Sequence, residues 1–160
     1  MEGREGSGRA ADWPRYVLGI DPGREKCGLA LVARDGSLVE KRVAEAEHLE
    51  AEVRSWCERY PVDLLILGDR TGARACHERL KKAGLVLPGR PVVLVDEHLT
   101  SQEARRQYLA EHPPRGLGRL IPRSLRTPPE PYDDYVALLL ARRYLKKISQ
   151  VRQENTSFVE

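Results

Sequence analysis

Cysteine is scarce in this chain, and the little present is poorly placed for cross-linking. Cys27, Cys57 and Cys76 are three in number, widely spaced and without a Cys-x-x-Cys pair. That spacing argues against a disulfide framework or a zinc site, and for reduced thiols in a cytosolic protein. Long apolar runs are missing too. The longest, Val136 to Ala141, is far too short to cross a bilayer. The opening stretch, MEGREGSGRAADW, has none of the apolar character of a signal peptide. There is no internal repeat. Charge of one sign is lacking as well: 27 basic and 24 acidic residues leave a formal net charge of only +3. Such a balance neither requires nor excludes a nucleic-acid partner, so the placement of the charges matters more than their sum. The chain reads as soluble and cytoplasmic, with no membrane partner.

What is present is a chain of 160 residues, enough for one domain with a real core. Residues 1–14 are rich in Gly, Arg and Glu and read as a disordered tail, 15–147 as the folded domain, and 148–160 as a flexible polar tail. YVLGID, Tyr16 to Asp21, is an aliphatic strand stopped by Pro22-Gly23. GLALVA, Gly28 to Ala33, is a second strand, and Asp35-Gly36 marks a hairpin into a third over about 37–43. The three form an antiparallel meander.

The period then changes. Residues 44–60 carry apolar positions near helical spacing, and Pro61 ends them. VDLLILGD, Val62 to Asp69, is the continuous apolar run of a strand buried on both faces. A helix over 73–82 follows, with Gly84 as its stop, then a buried strand over 91–97. Thr100 to Glu103 fits a capping box opening a helix to about 110. Residues 112–131 are rich in Pro, Gly and Arg, and a last helix spans 132 to about 147. The order predicts an α/β fold. Its five-stranded mixed sheet has an antiparallel meander, parallel first, fourth and fifth strands, and helices on both faces.

Ligands of such sheets collect at the carboxyl ends of the parallel strands. Three strands end there in acid: Asp21, Asp69 and Asp96-Glu97, and the last helix opens with Asp133-Asp134. Crowded carboxylates repel unless a cation neutralises them. Oxygen donors without a histidine or cysteine cluster favour Mg²⁺ or Mn²⁺ over zinc. Each acid also has a plainer explanation. Asp21-Pro-Gly is a turn signal, Asp69 can pair with Arg70, and acids suit a helix N-terminus. Strand alternation sends Asp96 and Glu97 to opposite faces, so at most one of them faces the site.

The motifs resemble a known family. LGIDPGREKCGLALV, Leu18 to Val32, resembles the opening motif of RuvC-like nucleases in the RNase H superfamily. It is closer still to the YqgF branch, the Holliday-junction-resolvase-like proteins also described as pre-16S rRNA processing nucleases. VDEHLTS, Val95 to Ser101, resembles that branch's Asp-Glu-Arg-x-Thr strand end, and DDYVALLLARRYL, Asp133 to Leu145, its Asp-led final helix. The three occur in family order over residues 16–145.

The resemblance implies an RNase H-like fold and Mg²⁺- or Mn²⁺-dependent hydrolysis of phosphodiester bonds in structured RNA or branched DNA, by a monomer or homodimer. Carried over by position, Asp21 is the first metal ligand, Glu97 the second acid and one of Asp133 and Asp134 the third. The register leaves both aspartates open. His98 stands where the branch has arginine, which makes a cationic contact there pH-dependent. Leu67-Gly68-Asp69-Arg70 replaces its Gly-x-Pro pattern.

Substrate phosphates have candidate partners in Arg24 and Lys26 after the first strand, in His98 and Thr100, and in Arg115, Arg119 and Arg123 of the acid-free segment 112–127. The plainer reading makes these turn residues and a solvated loop. Two other functions stay open: a non-catalytic nucleic-acid- or ribosome-associated module on the same fold, and a nucleotide-binding domain of the actin-like class. The latter pairs two domains where this chain supplies one.

Overall fold

The computed structural model describes residues 13–70, 72–96, 100–112, 120 and 133–157, with only the backbone at Thr100, Ser101 and Thr156. Strands β1 (Tyr16–Asp21), β2 (Lys26–Ala33) and β3 (Leu38–Glu45) come first, followed by a 3-10 turn (Ala46–His48) and helix α1 (Leu49–Arg59). Strand β4 (Val62–Gly68), helix α2 (Ala73–Lys82), strand β5 (Val92–Val95) and helices α3 (Thr100–Glu111) and α4 (Asp133–Ser157) complete the order. The five strands form one sheet, β3-β2-β1-β4-β5. The β1–β2 and β2–β3 pairs are antiparallel; β1–β4 and β4–β5 are parallel. This is the predicted mixed sheet.

Strand alternation divides the core. Leu18, Ile20, Leu29, Leu31, Leu65 and Leu67 pack with Val53 and Trp56 of α1 and Cys76 and Leu80 of α2. Val17, Ala30, Val32, Leu64, Ile66 and Val95 pack on the other side with Tyr108 of α3 and Val136, Ala137, Leu140 and Ala141 of α4. Helices thus cover both faces. All three cysteines are free. Burial pushes the Cys27 thiol up to about 11 and that of Cys76 up to about 12, which makes both poor nucleophiles at neutral pH. Among the described residues no helix is long and apolar enough to cross a membrane.

Local signals explain most boundaries. At the hairpin, Asp35 Oδ1 accepts from the Ser37 amide at 2.9 Å and Gly36 takes φ 88°, a conformation suited to glycine. Gly84, at φ 73°, ends α2 in a Schellman arrangement. The Leu85 amide bonds the Leu80 carbonyl at 3.0 Å, and the Gly84 amide bonds that of Lys81 at 3.0 Å.

Four extents differ from the sequence expectation. The meander is longer at its open end, because Lys26 and Cys27 pair with Glu45 and Ala44. The expected helix over 44–60 therefore starts only at Leu49. Strand β5 covers Val92–Val95 rather than 91–97. Helix α4 runs to Ser157, where a flexible tail from 148 was expected. No Gly or Pro interrupts ISQVRQENTS, and Ile148 still packs against the core. Residues 1–12, most of the Arg-rich segment after His112, and 158–160 lie outside the described residues.

Candidate metal and nucleic-acid site

Parallel strands β1, β4 and β5 all end on one edge of the sheet, and β1 delivers Asp21 there. Alternation puts Asp21 on the face of Val17 and Gly19, which is the face that α4 covers. Its lateral neighbour on β2 is Gly28. These two glycines let the helix lie directly on the strands. A Cβ at Gly19 would stand 2.2 Å from the Ala137 carbonyl oxygen, and one at Gly28 only 1.9 Å from that of Asp133. Any side chain at residue 28 would therefore lift the first turn of α4 off the sheet.

That close approach brings Asp133 to Asp21, and the two carboxyls share a hydrogen bond. Burial, reinforced by the neighbouring charge of Asp134, raises the Asp133 pKa above the usual carboxylate range, while the bond to Asp21 opposes the rise. A bond between two carboxyl groups needs a proton on one of them. A cation between them meets the same electrostatic need.

Asp134 turns elsewhere. It is buried, its Oδ2 accepts from Lys41 Nζ of β3 at 3.0 Å, and its Oδ1 accepts from the Tyr135 amide at 3.0 Å. The Lys41 ammonium also sits 4.2 Å from the centroid of the Tyr135 ring. Tyr135 donates its hydroxyl to Glu111 Oε2 at 2.6 Å, tying the end of α3 to the start of α4. Consecutive residues of a helix point about 100° apart, so one aspartate faces β1 and the other β3.

The remaining candidates scatter more widely. Arg24 is exposed in the loop between β1 and β2. Lys26 is exposed and ion-paired with Glu45. Asp69 follows β4, exposed, and its amide donates to the Val95 carbonyl at 3.1 Å. Asp96 is exposed, and its carbonyl accepts from Arg143 of α4. Thr100 is the first residue of α3, while Glu103, its expected capping partner, faces Arg143 at 3.9 Å. Glu97, His98, Arg115, Arg119 and Arg123 lie outside the described residues. Among the described residues no group of three or more His, Cys, Asp or Glu side chains is gathered for a metal ion.

Sequence reasoning passed over Gly19, Gly28 and Lys41. Glycine inside an apolar strand is a recognised mark of close backbone approach and could have flagged the first two. Nothing local marks Lys41, whose partner lies 93 residues away.

The mixed sheet with its two helical layers is the RNase H-like fold, the architecture shared with Holliday-junction resolvases. Two structures of the fowlpox virus Holliday junction resolvase match the chain. One, a complex with substrate Holliday junction DNA, has 13% identity over 83% of this chain and 98% of that one, at a TM-score of 0.55. The second has 15% identity over 82% and 99%, at 0.54. RuvC of T. thermophilus, in complex with Holliday junction substrate, has 21% identity over 79% and 90%, at 0.48. No protein-family model and no curated protein matches the sequence.

Proposed function

We propose that the chain is a metal-dependent nuclease that hydrolyses phosphodiester bonds in structured nucleic acid. The observation that carries this reading is the meeting of the Asp21 and Asp133 carboxyls at the carboxyl edge of the parallel strands. The donor set suits a hard divalent cation: carboxylate oxygens, two in contact and one of them pushed toward protonation by its surroundings. Asp21 and Asp133 would hold Mg²⁺ or Mn²⁺, with Glu97 as the further acid that the family resemblance implies. A divalent cation held there supplies Lewis-acid activation of water and charge stabilisation at the leaving oxygen.

The protein's own groups would do the rest. Asp21 and Asp133 set where a phosphate can approach. Arg24, exposed in the loop that follows Asp21, would meet a phosphate oxygen, and Lys26 shares that loop but is engaged by Glu45. His98, Thr100, Arg115, Arg119 and Arg123 extend the proposed substrate contacts. For substrate, the fowlpox resolvase complex holds Holliday junction DNA and favours a branched duplex. The YqgF-like motifs favour precursor rRNA.

Cleavage of a four-way DNA junction and of structured rRNA precursor, with Mg²⁺ or Mn²⁺ and with chelator, separates the substrates. The reading expects cleavage of at least one, lost on chelation and in Asp21→Asn. Undiminished activity in Asp21→Asn would remove Asp21 from the mechanism. A wild-type protein that binds both substrates and cuts neither would make the chain a non-catalytic binding module.

A further inference from the structure

Two adjacent aspartates open α4, yet only one reaches Asp21. The sheet order shows what separates them. The first turn of α4 lies over Gly28 of β2, with β1 on one side and β3 on the other. Asp133 meets Asp21 of β1, and Asp134 meets Lys41 of β3. A turn of the helix by one residue, about 100°, would exchange the two.

Lys41 is suited to prevent that exchange. It pairs with Ala30 on the face α4 covers, two residues short of the level of Gly28, and its long stem spans the difference. Its ammonium makes two contacts with the turn at once, a 3.0 Å bond to Asp134 and a seat 4.2 Å from the centre of the Tyr135 ring. Two contacts on successive residues fix rotation as well as distance. Among the other β3 ion pairs, Arg42 with Glu52 and Glu40 with Arg59 engage α1, and Glu45 with Lys26 joins β3 to β2.

We infer that Lys41 is a positioning residue for the carboxylate pair: by holding Asp134 and covering Tyr135, it sets the rotation of α4 that presents Asp133, and not Asp134, to Asp21. As a statement about a metal site it rests on the nuclease reading, but the rotational role does not require a metal.

The test measures Mn²⁺ bound to the full-length protein by electron paramagnetic resonance, beside the ¹³C carboxyl resonance of Asp133 in metal-free protein at fixed pH. Lys41→Met should weaken Mn²⁺ binding about tenfold or more, the usual size of an effect exerted through a ligand's support, and should shift the Asp133 resonance. Lys41→Arg, which keeps both contacts, should restore both. Arg42→Met, which breaks a β3 ion pair away from α4, should change neither. If Lys41→Met does not fold, Lys41→Gln replaces it with the same expectation in weaker form. Wild-type Mn²⁺ affinity and an unmoved Asp133 resonance, in whichever of the two folds, overturn the proposal. Should the wild type itself bind no Mn²⁺, the metal reading falls and the resonance alone decides for or against Lys41.

Discussion

Asp133 is half-buried, hydrogen-bonded to one carboxyl and adjacent in sequence to another. Its raised pKa has a definite consequence for stability. Folding favours the protonated form, so this group's contribution is most favourable below its unfolded pKa. That contribution declines as pH rises through the unfolded and then the folded value. Above the folded value the metal-free protein carries the full penalty. Asp133→Asn removes the charge and keeps the size. It should therefore raise the thermal midpoint of metal-free protein at pH 7, by roughly 2–4 °C for each ~1 kcal/mol of repulsion relieved. The gain should shrink toward zero as pH falls below the carboxylate range. Thermal melts at several pH values check this, and a midpoint lowered equally at all pH values would contradict it. A stabilising substitution at the proposed reactive centre is the pattern expected where function is held against electrostatic strain.

The site depends on an element laid directly on a sheet. Helix α4 approaches β1 and β2 so closely that two strand residues must lack a side chain. Gly28→Ala should displace the first turn of α4, lower stability by about 1–3 kcal/mol as overpacking does, and weaken Mn²⁺ binding along with it. A variant of wild-type stability and Mn²⁺ affinity would show that the helix can shift without disturbing Asp133.

Much of this architecture was legible in advance. Pro22-Gly23, Asp35-Gly36 and Gly84 are punctuation whose meaning is local, and the end of α2 follows from the last of them. Apolar alternation and the all-apolar run of β4 separate the meander from the parallel strands. The end of β3 was not legible, because only pairing with Lys26 and Cys27 extends it to Glu45. Nor was the length of α4, whose last ten residues are polar enough to resemble a tail but contain no breaker. The choice between Asp133 and Asp134 was likewise hidden. Both precede the same apolar helix, and the residue that distinguishes them stands on a strand at the far edge of the sheet.

At the scale of the whole molecule, one end of the sheet gathers strand termini, the first turn of α4 and the loop carrying Arg24. The fold is common to enzymes and non-enzymes alike, so function must be argued from the site. The most direct measurement of the central claim is Mn²⁺-dependent cleavage of a four-way DNA junction and of structured RNA by three proteins side by side: wild type, Asp133→Asn and Asp134→Asn. The predicted result is cleavage by the wild type, activity reduced but measurable in Asp134→Asn, and none above background in Asp133→Asn. Full activity in Asp133→Asn, with loss confined to Asp134→Asn, would contradict the account.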